Sequence, residues 1–166
     1  MSSFLPLHSR HYLFMILIAS LIIASDQWTK NAILDYFAHK PLGSHVALTS
    51  FFNLVLVWNT GMSFGLFHDQ PWASTVFTYL PIIIASIVFI WAIRTNDTLQ
   101  AYGLILIVSG AIGNIIDRFR FGSVVDFIDW YIGTWHWPAF NIADSSVCIG
   151  VAILMILSFR QPPTQA

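Results

Sequence analysis

Ala73-Ser74-Thr75-Val76-Phe77-Thr78-Tyr79-Leu80-Pro81-Ile82-Ile83-Ile84-Ala85-Ser86-Ile87-Val88-Phe89-Ile90-Trp91-Ala92-Ile93 contains no charged side chain. A bilayer core needs about 20 apolar residues to be crossed as a helix, and a helix satisfies its own backbone there. Trp72 and Trp91 frame the run at positions suited to the two interfacial belts. Pro81 inside it predicts a kink of the kind membrane helices tolerate. The segment from about 73 to 93 is therefore expected to span a membrane.

Reading outward, the polar turn Arg94-Thr95-Asn96-Asp97 is short, so the next apolar segment should return antiparallel, from about 101 to 117. A last apolar segment, about 142 to 160, ends at Arg160 before a Pro-containing tail. The first apolar run, Tyr12 to Ser25, has small residues at Ala24 and Ser25 and resembles a cleavable signal peptide. Against that, the helical pattern continues through Asp26 and Lys30 to Leu34, and three further segments follow, so it reads as a first helix from about 12 to 34. Four crossings place both termini and the 94–97 turn on one side and the two longer connections on the other. Lys and Arg are spread over both sides, so the positive-inside rule does not orient the chain. The acids are lopsided: only Asp97 lies with the termini.

The two long connections differ in character. Between about 46 and 67, the run Phe51-Phe52-Asn53-Leu54-Val55-Leu56-Val57-Trp58 breaks at Asn59-Thr60-Gly61. It is too short to span as a helix and reads as a β-hairpin or small sheet. Between about 119 and 141 the chain carries Trp130, Tyr131, Trp135, Trp137 and Pro138, an aromatic-rich stretch suited to the bilayer surface. The expected fold is an all-α integral membrane protein of one domain, with four transmembrane helices, a small β element and this interfacial connection.

Composition agrees. Of the 166 residues 57% are hydrophobic and 9% charged, far from the soluble norm of roughly 25% charged. No basic run or aromatic-basic interleaving favours nucleic acid. A single cysteine, Cys148, leaves no intramolecular disulfide and no Cys-rich metal site. There is no HExxH or CxxC, and the six histidines show no spacing that suggests a zinc site or the base of a serine triad. No cofactor is expected.

The chemistry should lie in the acids, all eight of which are Asp. Ionised groups in hydrocarbon cost several kcal/mol, so carboxylates at membrane helix ends are functional candidates. Each taken singly also fits a bland role in the headgroup region. Asn114, Asp117 and Arg118 share one helical face at the end of the third segment. Asp26 and Lys30, four apart on the first helix, are expected to pair structurally. Asp126 sits in the apolar context Val124-Val125-Asp126-Phe127-Ile128-Asp129. Asp144 opens the last helix, where an acid is also favoured simply by the helix dipole. If the last two helices are antiparallel neighbours, the connection must carry Asp126 back to Asp144. A close pair of carboxylates cannot both ionise readily, so one keeps a proton while the other acts as base on a shared water. That machinery hydrolyses amides without a metal, and nearby Asn and Arg groups can stabilise the oxyanion. Spacing alone does not choose Asp126 over Asp129.

Several motifs, taken in order, resemble the lipoprotein signal peptidases, or signal peptidase II. They are Ser25-Asp26-Gln27-Trp28-Thr29-Lys30; Asn59-Thr60-Gly61-Met62-Ser63-Phe64-Gly65; Gly110-Ala111-Ile112-Gly113-Asn114-Ile115-Ile116-Asp117-Arg118; Val125-Asp126-Phe127; and Phe140-Asn141-Ile142-Ala143-Asp144. The resemblance implies that Asp126 and Asp144 are catalytic and that Asn59, Asn114, Arg118 and Asn141 line the site. It implies structural support from Asp26, Lys30, Asp117 and Gly61. It further implies a substrate class, prolipoproteins whose cysteine carries a diacylglyceryl group, cut just before that cysteine. Inhibition by the cyclic peptide globomycin, contact with membrane lipid, and action as a monomer in the bacterial inner membrane are expected with it. Both termini would be cytoplasmic and the site near the extracytoplasmic face. Two other classes compete: a transporter, which would carry acids at mid-bilayer, where these segments have none, and a non-catalytic scaffold.

Overall fold

The structure is a computed structural model that describes residues 9–61 and 73–160. The expected anchor Trp72, the Met62 to Gly65 part of the second motif and the apolar run ending at Phe67 lie outside the described residues. In chain order the elements are α1 (Ser9–Phe37), β1 (His45–Ala47), β2 (Phe52–Asn59), α2 (Ala73–Arg94), α3 (Thr98–Phe121), β3 (Val124–Ile132), β4 (Trp135–His136) and α4 (Ile142–Arg160). The four helices are long and apolar enough to cross a membrane, and they carry most of their apolar side chains outward, as a lipid-solvated bundle does.

Helix α3 is the axis of the bundle, packing against α1, α2 and α4. Its sequence explains the role. Gly103, Gly110 and Gly113 give it a smooth face, and α4 answers with Gly150 and Ala143. Small residues let two backbones approach closely, which is how helices associate where lipid removes the hydrophobic drive. The approach is tight at Gly110, where an added Cβ would stand 2.3 Å from the Ala143 carbonyl oxygen. Helix α3 exceeds the apolar segment at both ends. Asp97 caps its start by accepting from the Gln100 N–H at 2.9 Å, and Gly122, at φ 73°, closes it in the left-handed conformation.

The aromatic-rich connection between α3 and α4 is built as β structure. It contributes two strands to a four-stranded antiparallel sheet in the order β1-β2-β3-β4. Its first half is buried on both faces, Val124, Val125, Asp126 and Phe127 all being inaccessible, which is why aromatic content alone did not reveal a strand. The sheet rests on the end of α1 through Ile33, Phe37 and Phe127, with Val46, Leu54, Leu56 and Ile142 packed around them. One irregularity matters for the site: Leu54 pairs with Ile128 but Val57 pairs with Asp126, so β2 holds one extra residue between them. Beyond this bulge, Val57 and Asn59 share the face of Asp126.

Candidate active site

Residues of all five motifs converge where the sheet meets the helix ends. Phe140 pairs with Ile128 as an isolated antiparallel bridge, giving and receiving backbone hydrogen bonds of 2.8–3.1 Å. That pairing sets Asn141 beside Asp126. Asn141 then caps α4. Its side-chain oxygen accepts from the Asp144 N–H at 2.9 Å, while the Asp144 carboxylate accepts from the Asn141 N–H at 3.2 Å. This reciprocal arrangement is a capping box written with Asn and Asp. The Asn141 amide donates to Asp126 Oδ1 at 2.7 Å, so one residue touches both aspartates.

The other site residues complete the shell. Asn59 Nδ2 donates to Asp126 Oδ2 at 3.0 Å, and its own oxygen accepts the Gly61 N–H at 3.2 Å, which fixes the amide in that orientation. Asn114 donates to Asp144 Oδ1 at 2.8 Å, and its oxygen receives Asn141 Nδ2 at 3.1 Å and Lys30 Nζ at 2.9 Å. Arg118 stands in the field of Asp144, Asp126 and Asp117, its guanidinium touching the Asn114 carbonyl at 3.5 Å.

Asp126 is 2% exposed. Burial pushes its carboxyl up and the charge of Asp144 pushes the same way; hydrogen bonds from Asn59 and Asn141 and the Lys30 cation pull it back, leaving it at about 7.

Beneath this shell lies a buried charged cluster. Lys30 Nζ reaches Asp26 and Asp117, each at 2.8 Å, and all three side chains are essentially inaccessible. Asp26 Oδ1 also accepts the Ala143 N–H at 2.9 Å, and Asp117 Oδ2 accepts the Val125 N–H at 3.1 Å.

Strand parity separates Asp126 from Asp129, which spacing left together. Residues three apart on β3 point to opposite faces, and Asp129 is occupied there by Asn53 Nδ2 at 2.9 Å and by His136 Nδ1 at 2.8 Å. Sequence reasoning missed the part of Gln27, whose amide donates to Asp117 Oδ1 at 2.9 Å and to the Gly113 carbonyl at 3.1 Å. It also missed Asn53 and His136. No alternation in β3 marked the last two, because the strand begins buried on both faces.

Two carboxylates joined by one asparagine, with a cation behind them, stand at the end of a four-helix membrane bundle, an arrangement that suits the class of membrane-embedded peptidases of the aspartate type. Known proteins agree. The sequence model of the Peptidase_A8 family, signal peptidase (SPase) II, matches residues 18–160. A lipoprotein signal peptidase of Paraburkholderia phymatum is 42% identical over 147 residues, covering 87% of this chain and 86% of that protein. One from Anaplasma phagocytophilum is 39% identical over 148 residues, covering 88% and 92%. A solved bacterial membrane enzyme, determined by the in meso method at 1.9 Å, superposes with a TM-score of 0.80 at 28% identity, covering 97% of this chain and all of that one. A second, at 2.3 Å, gives 0.75 at 30% identity, covering 92% and 94%. The chain belongs to the signal peptidase II family, membrane proteases that remove the signal peptide from prolipoproteins.

Proposed function

We propose that Asp126 and Asp144 are the catalytic pair and that they act on prolipoproteins carrying a diacylglyceryl group, cutting just before the lipidated cysteine. The observation that carries this is Asn141, which donates to Asp126 at 2.7 Å while locked in reciprocal hydrogen bonds with Asp144. Asp144 sits in the first turn of α4, where the helix dipole favours a carboxylate, and serves as the base that takes a proton from water. Asp126, held at about 7 by burial and by the Asp144 charge, keeps the proton, polarises the scissile carbonyl and then protonates the leaving nitrogen. Asn59, Asn114 and Asn141 orient the pair. Arg118, already in the field of both aspartates, supplies positive charge for the oxyanion. Asp26, Lys30, Asp117 and Gly61 support the site.

The sheet end of the bundle, where this site lies, is the extracytoplasmic side in this reading, and both termini are cytoplasmic. The membrane is the bacterial inner membrane and the working unit a single chain acting as one domain. A lipid-anchored substrate reaches such a site by diffusion in the bilayer plane, and globomycin is expected to occupy it. The test is cleavage of a diacylglyceryl-modified prolipoprotein by purified Asp126→Asn and Asp144→Asn, each shown to be folded. Both are expected to lose turnover while still binding substrate. Near wild-type cleavage by either one refutes the pair.

A further inference from the structure

Lys30 has a role beyond filling the bundle. It is 1% exposed, and an ammonium has three protons to place. All three are placed: on Asp26 Oδ2 and Asp117 Oδ2 at 2.8 Å each, and on Asn114 Oδ1 at 2.9 Å. Every partner leads one step on to the catalytic pair. Asp26 holds the backbone N–H of Ala143, the residue before Asp144. Asp117 holds the N–H of Val125, the residue before Asp126. Asn114 donates directly to Asp144 Oδ1. The cluster thus grips both catalytic strands of chain at the same relative position, and one ammonium ties the two grips together.

A mere structural brace would not need charge at this place. Replacing a buried ion pair by well-packed apolar groups is often neutral or stabilising, so stability alone does not account for two acids and an amine in a membrane bundle. We propose that Lys30, held by Asp26 and Asp117, is a positioning residue for the catalytic pair that both fixes its spacing and sets its charge balance from behind. This rests on the assignment of Asp126 and Asp144 made above. Among the described residues, the charged groups facing the pair are Asp26 and Lys30 from α1, Asp117 and Arg118 from α3, and the two aspartates themselves from β3 and α4. Lys30 acts on Asp126 electrostatically in the direction that favours its ionised form. Removing the cation therefore holds the Asp126 proton to higher pH.

The test is the pH profile of kcat and KM for a lipidated prolipoprotein in detergent micelles, with wild type, Lys30→Arg, Lys30→Met and Lys30→Met/Asp26→Asn. Lys30→Met is expected to lower kcat about 100-fold with KM unchanged, because the cluster touches no substrate, and to move the alkaline limb up by about one pH unit. Lys30→Arg keeps the charge but not the three-point geometry, so its rate falls while its limb stays at the wild-type pH. The double variant removes one charge of each sign and restores the net charge of the cluster; its limb moves up by less than that of Lys30→Met. It also carries the test if the single variant does not fold. A folded Lys30→Met that loses rate with its limb unmoved, or that keeps the wild-type rate, overturns the proposal and leaves Lys30 a brace. A different failure, Asp126→Asn or Asp144→Asn remaining active, strikes the pair itself and not Lys30.

Discussion

Replacing Gly110 by Ala should disable the enzyme through geometry, without touching any polar group. The added Cβ would stand 2.3 Å from the Ala143 carbonyl oxygen and 2.8 Å from Val147 Cγ2, where real Cβ atoms stay beyond 3.0 Å, so α3 and α4 must part by at least 0.7 Å (3.0 − 2.3 Å). Neither contact is the loose end of a long side chain; one is main chain, so the whole start of α4 has to move. Asp144 is the next residue after Ala143, and a misplacement of about 1 Å can cost about 100-fold in rate. Gly150→Ala is the control. Its Cβ would meet the Gly103 carbonyl oxygen at 2.4 Å, a similar parting of the same two helices, but about 9 Å from Asp144 along α4. Both variants should lose about 1–3 kcal/mol of stability to overpacking. Prolipoprotein cleavage in micelles, read beside thermal unfolding, separates the two effects: kcat should fall about 30- to 100-fold in Gly110→Ala and far less in Gly150→Ala. Equal losses of activity in variants of equal stability would refute the positional argument.

Three other outcomes are expected. With Asp126 at about 7 and needed in its protonated form, kcat/KM should decline as pH rises through that value; a profile flat to pH 9 contradicts the assignment. Asn59→Ala removes a hydrogen bond that favours the ionised form of Asp126. Its alkaline limb should move upward and its kcat/KM drop by about tenfold, measured on the same substrate, and an unmoved limb counts against the contact. Asp129→Asn lies on the opposite face of β3, bound to Asn53 and His136, and should turn over at close to the wild-type rate with a loss of about 1 kcal/mol in stability; loss of cleavage in a folded Asp129→Asn would reopen the choice of catalytic acid.

The helices were legible because the bilayer imposes one simple rule, a long uncharged run, and Ala73 to Ile93 obeys it without interruption. The site was legible in a different way. Asn141 and Asp144 stand at capping-box spacing, and the Asp26–Lys30 pair stands one helical turn apart, so local geometry brings each pair together. Strand β3 hid itself. Buried on both faces at its start and bearing exposed Trp130 and Ile132 at its end, it shows no clean alternation to read. The β2 bulge was also out of reach, since one extra residue in a strand leaves no mark in composition. That bulge is what aims Asn59 at Asp126.

The hydrogen bond from the Ala143 N–H to Asp26 joins residues 117 positions apart, and that separation has a temporal meaning. At a synthesis rate of about 5–20 residues per second, Asp26 is made roughly 6 to 23 s before its partner exists. In that interval Lys30, four residues on in the same helix, can already neutralise it, while Asp117 arrives only with the third span. The last span brings Asp144 and closes the cluster in one step. With Asp144 as a proposed member of the pair, the growing chain has a built-in latency: it hydrolyses nothing until its final helix has been inserted.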